Sequence, residues 1–233
     1  MTIAENIERI RAEIAIAAEE SGRQPGDITL VAASKMNDAG RVRQAVLGGV
    51  DACGENRVQE LTEKLEQHAY DGAPVHFIGH LQKNKVKNVV GRVQLIQSAD
   101  SEELIRLIDR RASVLGIIQD ILLEVNIGGE ESKTGLSLAE LLPALDCAAE
   151  CEAIRVRGLM TIPPVCTESA KNRAYFAQMR KLFVDIGAKK YDNNINMEIL
   201  SMGMSADYCD AIREGATMVR VGSAIFGERD YTK

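Results

Sequence analysis

One lysine in this sequence stands where chemistry with a carbonyl group is favoured. Residues 28–33 form an apolar run entered from a Pro-Gly-Asp turn, which predicts a buried β-strand, and Lys35 lies just beyond it. Burial disfavours the ammonium form, so we expect a lowered pKa and a nucleophilic neutral amine at Lys35. Such an amine forms a Schiff base with an aldehyde or ketone. The alternative is a lysine whose head reaches from the strand end to water or a carboxylate.

Two segments late in the chain are rich in small polar residues. Residues 201–205 read Ser-Met-Gly-Met-Ser after a predicted strand, and Gly222-Ser223 follows the last strand. Glycine permits close approach of a ligand to the backbone, and the hydroxyls of Ser205 and Ser223 suit an anion. Most loops of this composition are ordinary turns and caps. Two of them on one edge of a barrel also suit a phosphate group.

Arg220 closes the last predicted strand. An arginine at a strand end usually pairs with an acid, but it also suits an acceptor at the centre of a pocket. A lysine, a phosphate site and a central arginine together match the aldehyde, the phosphate and the ring nitrogen of pyridoxal 5′-phosphate (PLP). PLP is therefore the ligand that these residue types favour.

The elements that must position these residues alternate regularly between strand and helix. Short apolar strands are predicted at residues 28–33, 50–53, 75–78, 94–97, 121–125, 156–159, 197–200 and 217–219. A helix is predicted after each strand but the last, and an additional amphipathic helix precedes the first. This alternation predicts an α/β fold with one domain over residues 1–233, a (β/α)₈ TIM barrel with an extra N-terminal helix. A doubly wound open sheet is the alternative, but its Gly-x-Gly-x-x-Gly sequence is missing after the first strand.

Composition narrows the classes of partner. The 233 residues carry a formal net charge of -6, which argues against a general nucleic-acid or anionic-membrane surface. No apolar stretch is long enough to span a bilayer, and the N-terminus lacks the features of a signal peptide. The five cysteines include no Cys-x-x-Cys pair, and the three histidines lack metal-ligand spacing. We expect a cytoplasmic protein that binds no metal, nucleic acid or membrane.

Seven blocks spread over nearly the whole chain resemble the pyridoxal phosphate homeostasis protein family. They are residues 31–35, 54–60, 76–85, 132–135, 157–163, 200–205 and 218–227. The chain departs from the family at Cys53, where an aromatic residue is common, and at Met36-Asn37 after the lysine. The first departure affects packing more than chemistry, and the second leaves a Schiff base on Lys35 untouched.

The resemblance implies a single-domain barrel of the alanine-racemase N-terminal type, with PLP bound covalently to Lys35. It also implies that Arg220 meets the pyridine nitrogen and that Asn56 lies beside the ring. The remaining residues that it implies belong to the phosphate site: Ser201, Met204, Ser205, Gly222 and Ser223. His80 lies on the same rim, but no contact with PLP is expected of it.

The function that the resemblance implies is intracellular PLP (vitamin B6) homeostasis. A monomer would hold PLP as a Schiff base and make it available, with apo PLP-dependent enzymes as partners and without appreciable catalysis. A PLP-dependent amino-acid racemase or decarboxylase is the alternative, and a class I aldolase is a weaker one. Related racemases bring a second acid/base from another domain or subunit, which we expect this chain to lack. The basic residues 83–87 are more typical of a solvated helix face than of a docking site.

Overall fold

Eight parallel strands close into a barrel in chain order. The computed structural model of the protein describes residues 1–130, 133–164, 169–189 and 194–227. Within these ranges the strands are β1 Thr29–Ala33, β2 Ala52–Glu55, β3 Val75–Phe77, β4 Leu95–Ala99, β5 Gln119–Glu124, β6 Ile154–Met160, β7 Ile195–Ser201 and β8 Met218–Val221. Closure is made by β8 pairing with β1, from Thr29↔Met218 to Ala32↔Val221. The predicted (β/α)₈ barrel is confirmed, and the open sheet is excluded.

Helices follow the strands around the outside. They are α1 Ile3–Glu20, α2 Ala39–Leu47, α3 Val58–Glu66, α4 Glu102–Leu115, α5 Leu138–Ala149, α6 Ser169–Gly187, α7 Tyr208–Arg213 and α8 Ser223–Phe226, with 3-10 helices at Pro25–Asp27 and Lys83–Asn88. The predicted N-terminal helix α1 begins with a capping box between Thr2 and Glu5. It buries one face against α2, α7 and α8. None of the described helices is long and apolar enough to cross a membrane.

The inside of the barrel holds an apolar layer with polar groups among and beyond it. The apolar layer comes from β1, β2, β4, β5, β6 and β8, and its buried members are Val31, Ala52, Leu95, Leu122, Met160 and Met218. The buried polar residues on the strands include His76, Gln97, Ser201 and Arg220. Since buried polar groups are expensive without partners, this arrangement depends on the hydrogen bonds described below.

Several predicted boundaries were wrong by two or three residues, and two of the shifts concern the site. β2 extends to Glu55, because Glu55 pairs with Phe77 of β3. β8 extends to Val221, so Arg220 lies within the strand and not at its end. The segment 83–90, predicted as an α-helix, is a 3-10 helix over Lys83–Asn88. Local apolar patterns mark where a strand is buried, whereas the ladder with neighbouring strands decides where it ends.

Three residues of the sequence analysis lie outside the described ranges. They are Ser132 of one family block, Cys166, and Glu168, where the helix after β6 was predicted to begin. Among the described residues, no group of three or more His, Cys, Asp or Glu side chains is placed to hold a metal ion.

A glycine inside β6 lets the sheet change register. Gly158 has φ of 147°, and the pairing of β6 with both neighbours shifts just before it. A Cβ atom built on Gly158 would lie 1.9 Å from the carbonyl oxygen of Ile199 on β7. Any side chain here therefore forces β6 and β7 apart.

We predict that Gly158→Ala lowers the free energy of unfolding by at least about 2 kcal/mol, because it combines overpacking with an unfavourable φ. Gly26→Ala is the matched control, since a Cβ there meets nothing within 4 Å and φ is not positive. Urea unfolding followed by circular dichroism measures both variants. Equal stability of the two would contradict the register shift at Gly158.

Candidate functional site

Lys35 lies on the turn directly after β1 and is half-buried. Ser34, just before it, is fully buried, and its backbone N–H donates to the carbonyl of Gly54 on β2 at 2.8 Å. Met36, just after it, has φ of 61°, a left-handed conformation that is uncommon outside glycine. The lysine thus follows a buried strand, as predicted, and precedes a sharply turned residue.

Arg220 lies inside the barrel with only 3% of its surface exposed. One terminal nitrogen donates to Ser201 Oγ at 2.5 Å and the other to the carbonyl of Thr161 at 2.9 Å. Burial lowers the pKa of Arg220 to about 10, while Glu124 and Asp207 oppose the shift, so it stays a cation at neutral pH. Among the described residues it forms no salt bridge within 4 Å. A buried cation with neutral direct partners suits a ligand atom that accepts a hydrogen bond.

A hydrogen-bonded chain continues from Arg220 along the barrel axis. The Ser201 hydroxyl donates to Gln97 Oε1 at 2.7 Å, and Gln97 Nε2 lies 3.0 Å from His76 Nδ1. Gln97 Nε2 is a donor, so His76 accepts at Nδ1 and donates from Nε2 to Gln94 Oε1 at 3.3 Å. Ser201 is thus bonded to both Arg220 and Gln97.

The predicted phosphate loops meet next to the Lys35 strand. Ser205 Oγ accepts hydrogen bonds from the backbone N–H groups of Gly222 at 3.1 Å and Ala224 at 3.3 Å. A Cβ built on Gly222 would lie 3.4 Å from the carbonyl of Ala33, which places this loop beside the end of β1. The hydroxyl hydrogen of Ser205 stays available to an anion, because its oxygen is the acceptor in both bonds. Met204 is half-buried and Ser223 is exposed on the same side of the barrel.

Asn56 follows β2 at the same rim. Its side-chain Oδ1 is buried and has no hydrogen-bond partner among the described residues. Buried polar atoms without partners are rare in proteins and need an explanation. A ligand that offers a donor to this oxygen would supply one.

Two other rim residues have structural partners. His80 is exposed, and its Nδ1 lies 3.0 Å from Asp100 Oδ2. Asn126 folds the loop after β5, since its amide donates to the carbonyl of Glu130 at 2.8 Å and accepts from the N–H of Glu130. Neither geometry adds a site residue.

The sequence analysis missed Glu124, at the end of β5. It is only 5% exposed and accepts a hydrogen bond from Thr134 at 2.9 Å. Burial raises its pKa, while Thr134 and the Arg220 charge oppose the shift. Glu124 borders a cavity of about 280 Å³ with Lys133, Thr134 and Ile162. Glu124 is the single polar residue of the predicted strand 121–125, and this was the signal that could have revealed it.

These residues fit PLP. The buried Arg220 cation faces only neutral direct partners, Asn56 Oδ1 lacks one, and the serine and glycine loops lie beside the strand of Lys35. PLP offers a complementary set: an acceptor ring nitrogen, a donor or acceptor ring hydroxyl, a phosphate and an aldehyde.

Comparison with known proteins decides the family. Residues 4–230 match the alanine racemase N-terminal domain family. The pyridoxal phosphate homeostasis protein of Aquifex aeolicus is 40% identical, and the match covers 99% of this chain and 100% of that protein. The protein of the same name from Pseudomonas aeruginosa is 39% identical, over 99% and 97%. The chain belongs to the pyridoxal phosphate homeostasis protein family.

Solved structures agree with this membership. PipY of Synechococcus elongatus, solved with PLP bound, superposes with a TM-score of 0.84 at 32% identity, covering 97% of this chain and all of that one. An alanine racemase of Clostridium difficile superposes with a TM-score of 0.72 at 16% identity, covering 98% of this chain and 58% of that one. The second similarity concerns the fold alone. It confirms the predicted alanine-racemase type of barrel.

The burial of His76 in the hydrogen-bonded chain leads to a prediction about how the stability of the protein depends on pH. Burial lowers the pKa of His76 to about 4 from an ordinary 6.5. As the pH falls below 6.5, the unfolded chain binds a proton that the folded chain refuses, so stability is lost between pH 6.5 and 4. From pH 7.5 to pH 5 this loss amounts to about 2 kcal/mol for His76 alone.

His76→Asn keeps an acceptor oxygen for Gln97 but cannot titrate. We therefore expect wild type to lose about 2 kcal/mol more than the variant between pH 7.5 and pH 5 in urea unfolding. Each protein is compared with itself at the two pH values, so any effect of the substitution on the free energy of unfolding that does not depend on pH cancels. Parallel stability profiles for the two proteins would show that His76 titrates normally in the folded state.

Proposed function

We propose that this protein binds PLP covalently on Lys35 and holds it available for PLP-dependent enzymes, without appreciable catalysis of its own. The observation that carries the proposal is Arg220, a buried cation on a strand paired with the strand of Lys35. When bound, PLP supplies an electrophilic aldehyde and an electron-accepting ring. Relatives that carry the name of PLP homeostasis proteins, and PipY with its bound PLP, support the same ligand.

Each expected site residue has a distinct task in this proposal. The Lys35 amine receives the aldehyde, and Asn56 lies beside the ring. Ser205 donates its hydroxyl to the phosphate, with Gly222, Ser223 and Met204 shaping the loops around it. Ser201 orients Arg220 through the bond at 2.5 Å.

Arg220 also explains why binding is favoured over turnover. A guanidinium has only donors, so the ring nitrogen that it meets must be an acceptor without a proton. An unprotonated ring withdraws electrons from a substrate carbon less strongly. The residue that binds the ring therefore weakens the chemistry for which other proteins use PLP.

A PLP-dependent racemase is the second candidate, and Glu124 is the observation that favours it. Racemisation needs a base on one face of the reacting carbon and an acid on the other. Lys35 is available for one face. Glu124, with its raised pKa and its place on the rim, is the titratable group best suited to the other. Because Thr134 already donates to this carboxyl at 2.9 Å, we assign Glu124 the role of holding the loop after β5 and not that of an acid/base.

The proposal includes a cytoplasmic monomer that passes PLP to apo enzymes. The described cysteines, Cys53, Cys147, Cys151 and Cys209, are all free thiols, as in proteins of a reducing compartment. Burial raises the pKa of Cys53 to about 12, so this thiol on β2 is no competing nucleophile.

The first experiment locates the covalent bond. We expect one PLP adduct per chain after borohydride reduction of the native protein, on the peptide that contains Lys35. Lys35→Ala should show no adduct while retaining weak non-covalent binding through the phosphate site. Intact mass and peptide mapping measure both. An adduct on Lys133 or any other lysine in native wild type refutes the assignment.

The second experiment separates carrier from enzyme. We expect Cα deuterium exchange of L-amino acids in heavy water, followed by proton NMR, to be no faster with wild type than with Lys35→Ala. General acid–base help contributes about 10²–10⁴-fold, so its absence leaves only a slow side reaction. Rapid exchange that is lost in both Lys35→Ala and Glu124→Gln would establish the racemase and make Glu124 its second acid/base.

A further inference from the structure

A buried ionic cluster lies directly behind the Lys35 turn. It consists of Glu55 at the end of β2, Glu60 and Lys64 on α3, and Tyr70, and we call these four residues the clamp. Lys64 Nζ donates to Glu55 Oε2 at 2.6 Å and to Glu60 Oε2 at 3.1 Å. Tyr70 donates to Glu55 Oε2 at 3.1 Å. Glu55 and Lys64 are 0% and 5% exposed, so the cluster is part of the interior.

The clamp binds the chain on both sides of Lys35. On the N-terminal side, Lys64 Nζ donates to the carbonyl of Ser34 at 2.9 Å, and the Ser34 hydroxyl donates to Glu55 Oε2 at 3.0 Å. On the C-terminal side, Glu60 Oε2 accepts from the N–H of Met36 at 2.6 Å. The two peptide units that flank the lysine are therefore held by charged groups.

The residue held on the C-terminal side is in an uncommon conformation. Met36 has φ of 61° and is 57% exposed, so tertiary packing of its side chain does not impose this turn. Left-handed conformations of residues other than glycine cost free energy and persist where neighbouring groups enforce them. Two contacts do so here: the charge-assisted bond from the Met36 N–H to Glu60, and the turn hydrogen bond from the Asn37 N–H to the carbonyl of Ser34 at 3.2 Å.

The same cluster reaches a second site residue. Glu55 Oε1 accepts from the N–H of Asn56 at 2.9 Å. One buried carboxylate thereby fixes the loop of Lys35 through Oε2 and the backbone of Asn56 through Oε1. An ion pair that served stability alone would not need to contact Ser34 and Met36, on either side of Lys35, or the backbone of Asn56.

We propose that Glu60 and Lys64, acting with Glu55, are positioning residues that aim the Lys35 amine at the aldehyde of PLP. The inference rests on the proposed function. Condensation joins the neutral amine to the aldehyde carbon and releases one water, so it requires the nitrogen at bonding distance on a defined line of approach. The clamp sets that line by fixing the backbone before and after Lys35, and it does not touch the phosphate loops.

Glu60 is the residue to substitute. Its side chain is 19% exposed, whereas loss of Glu55 or Lys64 would leave a buried charge without its partner and unfold the chain. Glu60→Ala removes the acceptor of the Met36 N–H, and Glu60→Gln retains an oxygen acceptor without the charge. Glu63→Ala is the matched control, an exposed acid on the same helix.

Two ligands distinguish an effect on the position of the Lys35 amine from a general loss of ligand binding. PLP binds through its aldehyde and its phosphate, whereas pyridoxine 5′-phosphate has no aldehyde and reports the phosphate and ring contacts alone. We expect Glu60→Ala to slow covalent attachment of PLP about tenfold, the factor that corresponds to about 1.4 kcal/mol. Its affinity for pyridoxine 5′-phosphate should match that of Glu63→Ala. Glu60→Gln should recover most of the attachment rate.

Stopped-flow absorbance gives the attachment rate, and calorimetry gives the affinity for pyridoxine 5′-phosphate. Equal losses for both ligands in Glu60→Ala, or no loss for either, would overturn the clamp as a positioning device while leaving Lys35 as the PLP lysine. Absence of a Lys35 adduct in wild type would overturn the proposed function itself, and the clamp's role with it.

Discussion

The structure depends on keeping one guanidinium charged inside a barrel. Moving such a cation out of water costs several kcal/mol even after relaxation, and Arg220 is 3% exposed. Four groups compensate this cost: Ser201 and Thr161 accept hydrogen bonds, and the negative charges of Glu124 and Asp207 favour the cation. These groups belong to β5, the end of β6, β7 and the loop after it. Only a closed barrel brings them around β8.

The need to stabilise the Arg220 cation also determines the hydrogen bonds along the barrel axis. Ser201 can accept from Arg220 only if its own hydrogen goes elsewhere, and it goes to Gln97. Gln97 in turn fixes which nitrogen of His76 is the acceptor. Each member has one permitted orientation because Arg220, which has only donors, sets the direction at one end. The barrel interior thus pre-organises the guanidinium before any ligand arrives.

The opposite side of the site is organised by a different principle. Around Lys35 the structure uses a buried salt bridge of 2.6 Å between Lys64 and Glu55 together with neutral partners from Ser34 and Tyr70. Here Lys64 is shared between two carboxylates, Glu55 and Glu60. Around Arg220 the direct hydrogen-bond partners are neutral. The barrel fold is shared with an alanine racemase, whereas the particular side chains on the rim distinguish one barrel from another.

The sequence by itself determined the barrel, its N-terminal helix and the position of Lys35, because strand and helix periodicities are local and the strand before Lys35 is predominantly apolar. It also marked Arg220 and the loops at Ser205 and Gly222 as rim residues. The tertiary structure alone placed Arg220 inside β8, since the ladder to β1 sets the end of that strand. The contacts of Glu124, Gln97 and the clamp likewise became visible only in the tertiary structure. Each is a polar residue whose meaning depends on burial and on partners distant in sequence, and no local pattern records which distant group will satisfy a buried charge.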